Sequence, residues 1–162
     1  MRLYHLILQS QALAAFSIQE LTELLNKSWA YNHAHGLTGI LLHAPNGHFL
    51  HVLEGDASAV LHLYHHRIAP DPRHEHLIVL SQGQSSTQVF PNWCMSFRAG
   101  PELLAQPGYL APGAACLQAS IVSHTTPELS RLLLDFAAGY DDSPLCESMM
   151  SSQRHWPGPE VS

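Results

Sequence analysis

The chain carries little positive charge. Only seven of its 162 residues are Lys or Arg, against thirteen Asp or Glu, and its formal net charge is −6. Because such a chain has no basic field to hold a phosphate backbone, nucleic-acid binding is not expected. Charged residues make up 12% of the chain and hydrophobic residues 46%, which is typical of one globular domain with a short extension and not of a disordered chain.

Membrane spans, secretion signals and enzyme motifs are also lacking. No apolar run reaches the length of a membrane span, and no small-residue cleavage site follows the first short apolar run. The three cysteines lie far apart in no metal-ligand spacing, which indicates a reduced, cytoplasmic protein. A Gly-rich phosphate loop, a serine elbow and a paired-carboxylate motif are absent, so enzymatic activity is not expected.

The hydrophobic pattern predicts a ferredoxin-like α/β (α+β) sandwich with the order β-α-β-β-α-β-β and a C-terminal helical extension. The predicted strands cover residues 2–9, 37–43, 48–54, 76–80 and 95–98, and the predicted helices cover residues 18–35 and 57–68. A capping box at Ser17 and Glu20 begins the first helix, and Gly36 ends it.

The two middle strands are predicted to form a hairpin. The turn Pro45-Asn46-Gly47 lies between them, and Asn-Gly supplies the positive φ angles of a tight turn. In the second strand of this hairpin both faces carry bulky side chains, with Phe49, His51 and Leu53 on one face and Leu50 and Val52 on the other. We therefore expect this strand to lie in the centre of the sheet.

Three regions follow from this pattern. Residues 1–100 form the predicted domain. Residues 101–140 are predicted to be a Pro-, Gly- and Ala-rich connector followed by a helix, which must dock on the domain or on a partner chain because its single apolar stripe cannot stabilise it alone. Residues 141–162 show no periodicity and are predicted to be a flexible tail.

Several segments occur together in a characteristic order. They are LYHLILQS from Leu3, Asn32 ahead of GLTGILL, FLHVLEGD from Phe49, RIAPDPRH from Arg67 and WCM from Trp93. Together they resemble the BLUF family of bacterial blue-light sensors that use flavin. The resemblance implies that a flavin, FAD or alternatively FMN, lies between the two helices and the sheet. It also implies a homo-oligomer that signals to a downstream protein partner.

The resemblance assigns cofactor binding to Asn32, His51, Leu8, Asp71, Arg73 and His74. The Asn32 amide can both donate to and accept from a flavin ring edge. The arginine of the D-x-R-H segment lies, by resemblance, near the ribityl and phosphate end, where a guanidinium pairs well with phosphate oxygens. Alternatively, Asn32 only caps a helix end, and Asp71 and Arg73 form a surface ion pair.

Trp93 and Met95 match the signalling pair of the family, whose side chains exchange burial near the flavin. The alternative is that both are ordinary core residues of a strand.

Two positions depart from the family pattern. The family has at position 8 a tyrosine that gives an electron and a proton to excited flavin, whereas Leu8 can do neither. Tyr4 lies about 13 Å away along the strand, too far to take its place. At position 51 a histidine replaces the glutamine whose amide rearranges in light. We therefore expect an altered or lost photocycle. The alternative is a flavin-free protein-interaction module in which His51 is a satisfied core histidine.

Histidine is abundant, with thirteen residues. His62, His65 and His66 are predicted to share one helix face, a spacing that could hold Zn²⁺, Cu²⁺ or Ni²⁺. The alternative is a solvated face in a chain poor in lysine, whose surface charge would change between about pH 5 and 8. A flavin-free module would then respond to pH or to metal through these histidines.

Overall fold

The computed structural model describes residues 3–111 together with residues 131, 133 and 136. Within this part of the chain the elements follow one another in a βαββαβββ order. They are β1 (Leu3–Ala12), α1 (Ile18–Ala34), β2 (Thr38–His43), β3 (His48–Asp56), α2 (Ala57–Leu63) continued by a π-helix (Tyr64–Ile68), β4 (His74–Gln84), β5 (Trp93–Ser96), a 3₁₀ turn (Pro101–Leu103) and β6 (Tyr109–Leu110).

The six strands form one sheet in the order β4-β1-β3-β2-β5-β6. Neighbouring strands among the first four of this order are antiparallel. Strand β5 then lies parallel to β2, and β6 lies parallel to β5. The ferredoxin-like architecture is thus confirmed, with β3 central, as its two bulky faces require. The short strand β6 was not predicted and lies within the segment interpreted as a connector.

The first helix begins and ends as predicted. The Glu20 N–H donates to the Ser17 hydroxyl over 3.1 Å, and the Ser17 N–H donates to the Glu20 carboxylate over 3.1 Å. Gly36, with φ of 66°, follows the last turn. This capping box fixes the start of the helix that forms one wall of the site.

The β2–β3 hairpin forms at the predicted turn but uses one positive φ angle and not two. Gly47 has φ of 90°, and its N–H donates to the Ala44 carbonyl. The Asn46 side chain instead accepts the His48 N–H over 3.1 Å. Asn46 therefore stabilises the turn through its side chain and not through a left-handed backbone.

The second helix is not one α-helix to Ile68, as its apolar spacing predicted. From Tyr64 it widens into a π-helix, in which the Ala69 N–H donates to the Tyr64 carbonyl. Such wide turns are rare and are frequently found at functional sites. The change from α-helix to π-helix alters which side chains between Tyr64 and Ile68 lie on the same face of the helix.

Two apolar clusters cover the two faces of the sheet. The inner cluster packs β1, β2 and β3 against α1 and α2, and the outer cluster is centred on Ile40, Leu42 and Leu50. Leu133 is fully buried in the outer cluster, and Phe136 packs against it. These two helical residues of the predicted extension therefore contact the sheet. Apart from Arg131, the rest of the extension beyond Ala111 lies outside the described residues, as does the predicted tail at 141–162.

No helix in the described part of the chain is both long enough and apolar enough to cross a membrane.

Candidate functional site

A cavity of about 320 Å³ lies between the inner face of the sheet and the two helices. This volume is at the lower end of the range for small-molecule sites. All six residues to which the sequence assigned cofactor binding line this cavity, and they come from five different elements and loops. They are Leu8, Asn32, His51, Asp71, Arg73 and His74. The fold thus assembles into one site residues that are up to 66 positions apart in the sequence.

Asn32 lines this cavity and has an unsatisfied side-chain acceptor. The residue is buried, with 2% of its surface exposed, and its side-chain oxygen Oδ1 has no hydrogen-bond partner among the described residues. The helix end is closed by the backbone, because the Asn32 carbonyl accepts the N–H groups of His35 and Leu37. An unpaired buried acceptor costs about 1–3 kcal/mol. The Asn32 side-chain oxygen is therefore not used as a cap and is unsatisfied within the described part of the chain.

His51 lies on β3, opposite Leu8 of β1 and Leu41 of β2. The Trp93 Nε1–H donates to His51 Nε2 over 3.2 Å, and the two rings meet edge to face. Burial lowers the pKa of His51 to about 3 because a charged imidazolium would lose its hydration. His51 is therefore a neutral, oriented ring in the cavity wall.

The predicted signalling pair lies in the core of the sheet. Trp93 is 3% exposed and Met95 is fully buried, and both belong to the inner apolar cluster. Met95 pairs with Leu41 across the parallel β2–β5 contact. Trp93 reaches the cavity through its hydrogen bond to His51. The packing thus agrees with the core interpretation and also connects Trp93 to the site.

Asp71 and Arg73 form a close ion pair at the cavity. The Arg73 Nη2 atom lies 2.7 Å from Asp71 Oδ2, and the Nε–H also donates to the carboxylate. The hydrogen bond from Arg73 holds the pKa of Asp71 below its ordinary value. The guanidinium also lies 5.4 Å from the centre of the Phe16 ring. The charge of Arg73 is thus already matched within the protein.

Two other cations of the site were missed by the sequence analysis. Lys27 on α1 and Arg67 on the π-helix line the cavity, and neither forms an ion pair with a described carboxylate. The Arg67 guanidinium lies 4.2 Å over the Tyr31 ring. Lys27 could have been identified from the sequence, because it lies at helical spacing from Leu24 and Tyr31. Arg67 could not, because its position depends on the π-helix, which the sequence did not predict.

His74 connects two walls of the cavity. Its Nε2 lies 2.7 Å from the Ile68 carbonyl oxygen and its Nδ1 lies 2.8 Å from the Ser10 hydroxyl. A carbonyl only accepts, so Nε2 carries a proton. Both ring nitrogens are therefore used within the protein, and His74 positions the loop before β4 without offering a free polar atom to a ligand.

The three histidines proposed as metal ligands are not assembled into a site. The His62 and His66 rings lie 4.3 Å apart, whereas His65 contacts the Tyr64 ring. The change from α- to π-helix at Tyr64 alters the spacing on which the prediction depended. Across the described residues, no group of three histidine, cysteine or carboxylate side chains could hold a metal ion.

Known proteins are similar to this chain in sequence and in fold. Photoactivated adenylate cyclase subunit beta of Euglena gracilis is 34% identical over 96 residues, which cover 59% of this chain and 11% of that protein. A manganese/cy-diGMP complex of Klebsiella pneumoniae BlrP1 superposes with a TM-score of 0.63 at 28% identity, over 84% of this chain and 33% of that one. BlrB, a BLUF protein in its dark state, superposes with a TM-score of 0.56 at 25% identity, over 93% of this chain and 97% of that one.

The chain thus spans only about a tenth of the length of that curated cyclase relative. The family model of the BLUF domain, described as sensors of blue light using FAD, matches residues 3–96. This match includes both helices and the first five strands, and hence the whole cavity. The chain belongs to the BLUF family.

Proposed function

We propose that this chain binds a flavin in the cavity, with FAD as the first choice, and acts as a signalling protein derived from blue-light sensors, with an altered or lost photocycle. The observation that carries the proposal is the buried, unpaired Oδ1 of Asn32 in the wall of an apolar cavity. A flavin ring edge offers the N–H group that would satisfy it. BLUF relatives are flavin-binding blue-light sensors, often joined to signalling output domains.

The residues present fit a flavin on three counts. Asn32 supplies an acceptor, His51 supplies a polar edge, and the apolar side chains of Leu8, Leu41 and Phe49 supply a surface for a flat ring. A bound flavin would supply the absorption of blue light and the redox chemistry, whereas the protein supplies orientation and electrostatics.

The cations of the cavity favour a flavin that carries phosphate. Three of the seven Lys and Arg residues of a negative chain line this one cavity. Arg73 is matched by Asp71, whereas Lys27 and Arg67 pair with no carboxylate in the described part of the chain and are the cations available to an anionic ligand. We infer that FAD or FMN binds more tightly than riboflavin, with Lys27 and Arg67 as the phosphate partners and Asp71 and Arg73 near them.

The residues present do not fit the photochemical switch of the family. Leu8 has no electron or proton to give, and His51 has no amide that could rearrange. We therefore expect this chain to bind flavin but to have altered or lost the photochemistry of the family. Signalling is proposed to pass through a homo-oligomer and a downstream protein partner, without an enzymatic activity in this chain itself. BLUF domains are sensor modules and also occur in cyclase-associated proteins.

Purification followed by titration with flavins tests the proposal. The expected result is a yellow protein with flavin absorption at about 450 nm, or a colourless protein that takes up added FAD or FMN. Trp29→Phe should leave this result unchanged, because Trp29 stacks on His33 and does not line the cavity. A colourless protein that binds none of FAD, FMN and riboflavin would contradict the proposal and favour the flavin-free interaction module.

A further inference from the structure

One buried hydrogen bond determines which nitrogen of His51 carries the proton. The indole N–H of Trp93 can only donate, so the His51 Nε2 atom 3.2 Å away must accept and is unprotonated. The buried ring is neutral and therefore has a single ring proton. That proton lies on Nδ1.

The Nδ1–H group has no partner within the sheet. The residues directly opposite His51 are Leu8 on β1 and Leu41 on β2, and neither side chain has a polar atom. Among the described residues, only Trp93 hydrogen-bonds the His51 ring. Because His51 lines the cavity and no other described residue bonds its ring, a molecule inside the cavity can satisfy the remaining donor.

We propose that Trp93 is a positioning residue that locks His51 as a one-way hydrogen-bond donor, so that this wall selects a ligand atom that accepts. Such an atom is a ring carbonyl oxygen or an unprotonated ring nitrogen. A glutamine at position 51 could present either its N–H₂ group or its carbonyl oxygen by rotating. The locked histidine cannot, because a proton on Nε2 would face the Trp93 N–H.

The lock and the Asn32 acceptor are complementary. Asn32 requires a ligand donor and His51 requires a ligand acceptor. A flat ring with both an N–H and a carbonyl or imine nitrogen on its edge meets both requirements, as an isoalloxazine does. Only this choice of ligand rests on the proposed function, since the lock exists without a ligand.

The lock is tested in the protein without flavin. In ¹⁵N-labelled protein, the ring nitrogens of His51 should show one tautomer, protonated at Nδ1, with a scalar coupling between Trp93 Nε1 and His51 Nε2 across the hydrogen bond. Trp93→Phe removes the donor and should abolish the single tautomer, whereas Trp29→Phe should retain it. A mixture of tautomers or a proton on Nε2 in the wild-type protein overturns the lock, even if Trp93→Phe does not fold.

The donor role is tested by adding FMN to the same labelled protein. The His51 Hδ1 resonance should move downfield and exchange more slowly with water, and Trp93→Phe should weaken FMN binding about fivefold, as expected for one hydrogen bond. Bound FMN with an unchanged Hδ1 resonance overturns the donor role. Failure of FMN and FAD to bind overturns the proposed function, while the spectrum of the unloaded protein has already decided the lock.

Discussion

The two walls of the cavity differ in what they still offer a ligand. Among the described residues, the helical wall has an unpaired acceptor at Asn32 and two cations without carboxylate partners at Lys27 and Arg67. The sheet wall has apolar Leu8 and a histidine whose Nε2 is occupied by Trp93, which leaves only the His51 Nδ1–H for a ligand. The difference shows that the acceptor and the cations suited to a flavin lie on the helices, whereas the two positions that the family uses to respond to light lie on the sheet, so the light response can change while the helical contacts stay.

The largest expected effect comes from removing the polar group of the helical wall. Asn32→Leu deletes a buried unpaired acceptor in the flavin-free protein, so the free energy of unfolding should stay the same or rise. The same change removes a hydrogen bond to bound flavin and should weaken binding by about 1–3 kcal/mol, or about 5- to 150-fold. Chemical denaturation and flavin titration measure the two quantities. Equal losses of folding stability and of flavin affinity would contradict the assignment of Asn32 as a hydrogen-bond partner of flavin.

A second effect comes from the buried histidine of the sheet wall. In the unfolded chain His51 takes up a proton near pH 6.5, whereas in the fold it stays neutral down to about pH 3. The unfolded state therefore binds more protons below pH 6.5, and stability falls as the pH falls through this window. His51 alone contributes a slope of about 1.4 kcal/mol per pH unit.

Burial also lowers the pKa values of His5 and His43. Both residues therefore add to the loss of stability as the pH falls. His51→Gln is the matched variant, because it removes one titrating group and leaves the other two. Denaturation near pH 5, about 1.5 units below the pKa of the unfolded chain, should show about one proton fewer taken up on unfolding than in the wild-type protein. An unchanged proton uptake would mean that His51 is not buried and neutral.

A smaller effect should separate the cations of the cavity. Arg67→Gln removes a charge that no described carboxylate pairs with, and it should weaken FMN or FAD binding about tenfold, while riboflavin binding stays the same. Arg73→Gln should have less effect, because the Arg73 charge is already matched by Asp71. Titrating the three flavins against both variants makes the comparison. A stronger loss at Arg73 than at Arg67 would favour the original assignment from the D-x-R-H segment.

The sequence could predict the scaffold and most of the cavity because these depend on local signals. Each of three signals acts within a few residues. The capping box at Ser17 sets the start of α1, the turn at Gly47 sets the hairpin, and the pattern of bulky side chains in β3 sets a central strand. The six predicted binding residues lie in the matching segments of the family, and the fold places all of them on one cavity.

The features that the sequence did not reveal depend on long-range packing. The Trp93–His51 hydrogen bond requires the parallel register that places Trp93 beside Gly39, and nothing local encodes that register. The length of β4 was underestimated because no residue of this edge strand is fully buried and the strand lacks an apolar alternation. The buried Glu54 carboxylate accepts the N–H groups of Val89 and Phe90 and so holds the loop before β5. These residues are at least 35 positions apart in the sequence, and no sequence motif predicts the contact.

The most direct test of the separation between the two walls is the light response of the flavin-loaded protein. Blue light should produce no reversible red shift of about 10 nm in the flavin absorption of the wild-type protein, since Leu8 and His51 cannot perform the rearrangement of the family. Leu8→Tyr combined with His51→Gln restores both groups on an unchanged helical wall and should bring the shift back. A reversible shift in the wild-type protein would contradict the account.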